Sequence, residues 1–126
     1  MTAAVVLNSL PVPGDAAGQV LCVALTGALD FTNAERLGHD VEALLGPEHR
    51  GLVLDMSGVE FCDSTGIRVL LVVRKLVQEH GGGVALAGLN ARLTRIFRVT
   101  GLIHAFTVTA GPQEAAEAVR TRSPSA

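Results

Sequence analysis

One short segment of this chain brings together side chains that could do chemistry: Cys62-Asp63-Ser64-Thr65-Gly66. It offers a thiol, a carboxylate and two hydroxyls beside a glycine. Three chemistries fit such a set. A serine can be a nucleophile, but the elbow that activates one needs a small residue where Cys62 stands, and a histidine oriented by an acid. His39, His49, His80 and His104 have no sequence context that supplies one. A carboxylate can accept a phosphoryl group, as Asp55 at a strand end would, yet the acidic cluster that holds a metal there is missing. The third chemistry is phosphorylation of Ser64 itself. Asp63 or Ser64 also serves as an N-cap, because the residues that follow have helical spacing.

A phosphate on Ser64 would meet the free N–H groups and positive dipole end of that helix, with Arg68 one turn on. The fold would survive the modification. Binding would not, because a charge of about −1.5 to −2 would sit at the edge of any docking surface. On a helical wheel, Val69, Leu70, Val72, Val73, Leu76 and Val77 form the expected core face. Ser64, Ile67, Arg68, Leu71 and Lys75 form an outward stripe, with an apolar pair set among charges. That stripe is the expected partner surface.

The elements that position this segment follow from periodicity and breakers. Val20–Thr26 is an apolar strand, and the weaker run Ala3–Leu7 is expected to pair with it as an antiparallel hairpin. Thr32-Asn33-Ala34-Glu35 has the form of a capping box, followed by Leu37, Val41, Leu44 and Leu45 at helical spacing and a stop at Gly46-Pro47. Gly51–Met56 is a buried strand that leads through a loop to the 62–66 segment. A helix then runs from Ser64 to His80 and stops at Gly81-Gly82-Gly83. Val84–Ala87 is a strand, Asn90 caps a helix closed by Gly101, and Phe106–Thr109 is the last strand. Pro112 opens a final helix ending near Arg120. Strands alternating with helices predict an α/β fold: a mixed, mostly parallel sheet with an N-terminal antiparallel hairpin and about four flanking helices. Residues 1–120 form one domain, and 121–126 are expected to be a disordered tail.

Composition narrows the function classes. The 126 residues are 48% hydrophobic and 17% charged, so apolar side chains are left for the surface. A net charge of −2, with no Tyr or Trp, gives neither the basic surface nor the stacking platform of a nucleic-acid binder. The first basic residue is Arg36, and no apolar run is long enough to span a bilayer, so a cytoplasmic protein with no membrane partner is expected. Cys22 and Cys62 make no metal motif; no metal, cofactor or catalytic residue is expected. There is no phosphate-binding loop, and Gly81-Gly82-Gly83 follows a helix. Arg92, Arg95 and Arg98 read as a solvated helix flank. Nine of the ten basic residues are Arg, a usage typical of a GC-rich bacterial genome.

Residues 52–67, L-V-L-D-M-S-G-V-E-F-C-D-S-T-G-I, together with G-A-L-D at 27–30 and A-R-L-T-R-I-F-R-V-T-G-L at 91–102, resemble the STAS family, specifically its single-domain bacterial anti-sigma factor antagonists. The resemblance implies the STAS fold and a role in transcription regulation by partner switching. The unmodified protein would bind an anti-sigma factor that is also a serine kinase and so release a sigma factor. Phosphorylation of Ser64 would abolish binding, and a PP2C-type phosphatase would restore it. Asp30, Asp63, Thr65 and Gly66 would join the partner-binding set with Ile67, Arg68, Leu71 and Lys75; the protein would be a monomer or weak dimer and not an enzyme. Ala28 departs from the family, which usually has Glu there, and Cys62 stands where Met or another apolar residue is common. Two alternatives remain open: a STAS accessory subunit of a transporter or signalling complex without phospho-switching, and a nucleotide-binding protein. Thr65 is an adjacent alternative phosphate acceptor.

Overall fold

A computed structural model describes residues 8–10, 20–46, 49 and 51–121. Its elements are β1 (Asn8–Leu10), β2 (Val20–Leu29), α1 (Ala34–Leu44), β3 (Gly51–Cys62), α2 (Ser64–Glu79), β4 (Gly83–Ala87), α3 (Ala91–Val99), a single 3-10 turn (Leu102–His104), β5 (Thr107–Thr109) and α4 (Pro112–Thr121). The sheet order is β1-β2-β3-β4-β5. Strands β2 to β5 are parallel, as helical crossovers between neighbouring strands require. The short β1 runs antiparallel to β2, pairing Asn8 with Ala24 and Leu10 with Cys22. The expected hairpin partner, Ala3–Leu7, and the connecting residues 11–19 lie outside the described residues, as do Pro47 and the tail 122–126.

Alternation along the strands divides the core. Leu21, Val23, Leu25, Leu52, Leu54, Met56, Val84 and Leu86 meet buried residues of α1, α2 and α3 on one face. Val20, Cys22, Val53, Ala85 and Ala87 meet Ala115, Ala116 and Val119 of α4 on the other. The small residues on this second face let a single helix sit close. Asn90 caps α3 as expected, its Oδ1 accepting from Leu93 N at 2.8 Å. Its Nδ2 donates to Val59 O at 3.2 Å and so ties α3 to β3.

Three expectations change. Strand β3 does not end at Met56; it runs to Cys62 beside the second half of β2, through register shifts between Ala24 and Thr26 and between Gly27 and Ala28. Gly58 allows this, because a Cβ there would lie 2.7 Å from Thr26 Cγ2 and 2.9 Å from Leu25 O. The second correction is to the capping box. Asn33, not Thr32, is the N-cap of α1, with no side-chain cap bond, because Thr32 is turned toward Asp30. Third, the buried face of α2 is Gly66, Leu70, Val73 and Val77. Val72, expected in the core, is 51% exposed, while Ile67 and Leu71, expected to point outward, are half-buried and pack against the core.

Candidate functional site

The extra half-turns of strand in β2 and β3 carry two loops to one end of the sheet. The first is Asp30–Asn33, leading into α1. The second is the single residue Asp63, leading into α2. Asp63 joins them. Its Oδ1 accepts from Gly66 N at 2.8 Å, which caps α2, and its Oδ2 accepts from Phe31 N at 3.2 Å. Its own N–H donates to Leu29 O at 3.1 Å. One carboxylate thus sets the entry of α2 against the other loop.

The Asp30 loop is held from within. Asp30 is 9% exposed; its Oδ1 accepts from Thr32 N at 2.9 Å and from the Thr32 hydroxyl. Asn33 Oδ1 accepts from Asp30 N at 3.0 Å, and Asn33 Nδ2 donates to Ala28 O at 2.7 Å. Asp30 is therefore a brace for the loop that displays Phe31. Its carboxylate is turned toward the donors of its own loop.

Ser64 is the first residue of α2 and is exposed. Asp63 uses the Gly66 amide, and Ile67 N donates to Asp63 O at 3.0 Å. The amides of Ser64 and Thr65 have no acceptor among the described residues, which leaves the helix end its positive character. Thr65 is half-buried, so of the two adjacent hydroxyls Ser64 is the open one. No hydrogen bond joins Ser64 to a histidine among the described residues. Asp55 is also engaged, accepting from Ser57 N at 3.1 Å and Ser57 Oγ at 2.7 Å.

Beneath this end, Cys62 is buried, and desolvation, with a smaller contribution from the Asp63 charge, pushes its thiol up to about 12. It is a packing residue held as the neutral thiol. Gly66 is buried against the same strand ends, and a Cβ there would lie 2.7 Å from Leu29 O and 2.8 Å from Cys62 Sγ.

Arg68 and Lys75 are exposed on the same outward line of α2 as Ser64, Arg68 one turn from it and Lys75 about three turns away. The structure adds residues that the sequence reading passed over. Phe31 is 75% exposed and lines an open groove between α1 and α2 with Glu35, Thr65, Arg68, Val72 and Leu76. Phe61 is also exposed, three residues before Ser64. A signal for these existed: the chain has four Phe, and only Phe97 and Phe106 fall in helical or strand core patterns.

The STAS domain model matches residues 14–115. Over 105 residues the chain is 30% identical to BtrV of Bordetella bronchiseptica, a match covering 83% of this chain and 90% of that one. It is 32% identical over 80 residues to the anti-sigma-B factor antagonist of Bacillus subtilis, covering 64% and 72% of the two chains. The fold superposes on the crystal structure of an anti-sigma factor antagonist from Mycobacterium paratuberculosis with a TM-score of 0.78 at 23% identity, covering 95% of this chain and 99% of that chain.

Proposed function

This chain belongs to the STAS domain family, and we propose that it acts in the cytoplasm as an anti-sigma factor antagonist controlled by phosphorylation of Ser64. The unmodified protein binds an anti-sigma factor that is also a serine kinase, through Ser64 and its surroundings, and a sigma factor is thereby freed. The kinase moves the γ-phosphoryl group of ATP to Ser64 Oγ, with loss of the hydroxyl proton and release of ADP. A PP2C-type phosphatase hydrolyses the ester and resets the switch. The chain itself catalyses nothing.

The observation that carries this reading is an exposed hydroxyl at the first position of a helix that another residue already caps. Phosphate at Ser64 would add charge without removing any hydrogen bond of the fold. The free amides of Ser64 and Thr65 would face it, which favours an intact phosphorylated domain. Asp63, Thr65 and Gly66 hold the acceptor in place. Phe31, Arg68 and Lys75 form the outward contact surface, with Ile67 and Leu71 contributing their exposed edges. Burying a doubly charged group unpaired against a partner costs several kcal/mol, so affinity would fall by about two decades or more.

The test is intact mass and peptide mapping of the protein from its native cells, beside a Ser64→Ala variant. A single phosphate on Ser64, absent from the variant, is expected. A kinase that binds only the unmodified form should co-purify with it. Absence of phosphate through growth, starvation and stress would overturn the switch.

A further inference from the structure

The charges of this chain are segregated along its length. Residues 1–63 carry nine carboxylates against two arginines, and residues 64–126 carry eight basic side chains against three carboxylates. The segregation is sharpest at α3. No Asp or Glu occurs between Glu79 and Glu114, and the helix holds Arg92, Arg95 and Arg98, all exposed. No side chain of the three has an ion pair or hydrogen bond among the described residues.

Fold stability does not account for this face. Leu93 and Phe97 make the buried side of α3, and the arginines lie opposite. Arg98 suits the C-terminal end of the helix dipole, but Arg92 stands in the first turn, where a cation is disfavoured. Like charges three apart repel on a helix surface. Val99 sits among them on the outward face and is 81% exposed, the most exposed large apolar side chain of the described residues. Beside it an open groove is lined by Leu89, Ala91, Thr94, Arg95, Arg98 and Val99, so that two cationic side chains and three apolar ones share it with one hydroxyl.

We propose that the outward face of α3 docks an acidic protein segment that carries an apolar side chain: Arg92, Arg95 and Arg98 pair with its carboxylates while the apolar group packs on Val99 and Leu89. The occupant is a peptide segment and not a nucleic acid, because the arginines cover only two turns of one helix in a chain of net charge −2 and no aromatic side chain lies on this face. The surface is separate from the Ser64 stripe on α2 and does not depend on phosphorylation.

The experiment uses the full chain and two fluorescein-labelled peptides, one of eight glutamates and one with a central leucine among seven glutamates, read by fluorescence anisotropy at 50 and 250 mM salt. The leucine peptide is expected to bind more tightly and to weaken several-fold at the higher salt. Arg95→Glu with Arg98→Glu should weaken it about tenfold or more, and Val99→Ala about threefold. Ser64→Ala should bind as the native chain does, so a failed phosphorylation test and a failed docking test remain distinguishable. Circular dichroism of each variant confirms the fold; should the double reversal unfold, Arg92→Gln with Arg95→Gln takes its place. No peptide binding, equal binding of the two peptides, tighter binding of a single-stranded oligonucleotide of eight thymidines, or loss of binding in Ser64→Ala would overturn the proposal.

Discussion

Replacing Gly66 by alanine sets two rules against each other beside the candidate site. Alanine is favoured over glycine inside a helix by about 1 kcal/mol, so propensity alone predicts stabilisation. The space around Gly66 predicts the opposite. Its Cβ would lie 2.7 Å from Leu29 O and 2.8 Å from both Leu29 Cγ and Cys62 Sγ. The thiol and the leucine side chain can turn aside, but the carbonyl belongs to the backbone and also accepts from Asp63 N at 3.1 Å. Forcing α2 away from β2 costs about 1–3 kcal/mol in repacking, and loss of the Asp63 bond adds about 1 kcal/mol. Net destabilisation of about 1–3 kcal/mol should lower the melting temperature by about 4–10 °C in a domain of this size. Gly38, in the middle of α1, is the control: its Cβ would meet only Val69 Cγ1, at 3.8 Å. Gly38→Ala should raise the melting temperature by about 2–4 °C, since it gains the propensity with no clash. Differential scanning fluorimetry of the two variants beside the native chain checks both. A rise for Gly66→Ala would refute the close-approach reasoning.

Four further outcomes are open to the same purified protein. Asp63→Ala removes the cap of α2 and the link to Phe31 N, and should cost about 1–3 kcal/mol; Asp63→Asn keeps one acceptor and sets an amide donor against the other N–H, so its melting temperature should fall between the two. Ser64→Glu places a carboxylate where the helix dipole favours it, so thermal stability should hold or rise slightly while affinity for the proposed anti-sigma factor partner drops by about tenfold or more. Cys62, its thiol pushed up to about 12 by burial, should resist iodoacetamide at pH 8 in the folded protein and react once guanidinium unfolds it. The same shift fixes a sign. Between pH 9 and 12 the folded state holds protons at Cys62 that the unfolded state has lost, so stability is full below pH 9 and declines as pH rises through that window, which denaturant midpoints taken at pH 8 and pH 10.5 would reveal.

Where local chemistry decided the structure, the sequence was a sufficient guide. Asp63 ahead of a helical run, Asn90 ahead of another, and Pro112 at the start of the last are short-range signals, and each lies where it was expected. Where a partner distant in the chain decided, local reading failed. Ser57-Gly58-Val59-Glu60 has the composition of a loop, yet it is strand because the second half of β2 lies alongside and Gly58 permits the approach. Thr32 and Glu35 have the spacing of a capping box, yet Thr32 is taken by Asp30, whose carboxylate needs donors once buried. Nor does anything local show which way the Asp30 carboxylate turns: it faces the Thr32 donors of its own loop.

Helix α2 shows how the site itself was partly legible. Its apolar residues cover more than half of the wheel, so the wheel cannot say where within that arc the sheet lies. The buried glycine settles it. Gly66 can approach β2 only if its side of the helix faces the strand ends, and Leu70, Val73 and Val77 follow on that side. Ile67 and Leu71 then fall on one shoulder, against the core, and Val72 on the other, along the groove it shares with Phe31. Ser64, Arg68 and Lys75 remain outward whichever way the helix is rolled within those limits, because they stand opposite the glycine. The hydroxyl is exposed for the same reason that Gly66 must be small: two residues apart on a helix, one turns toward the sheet and the other away from it.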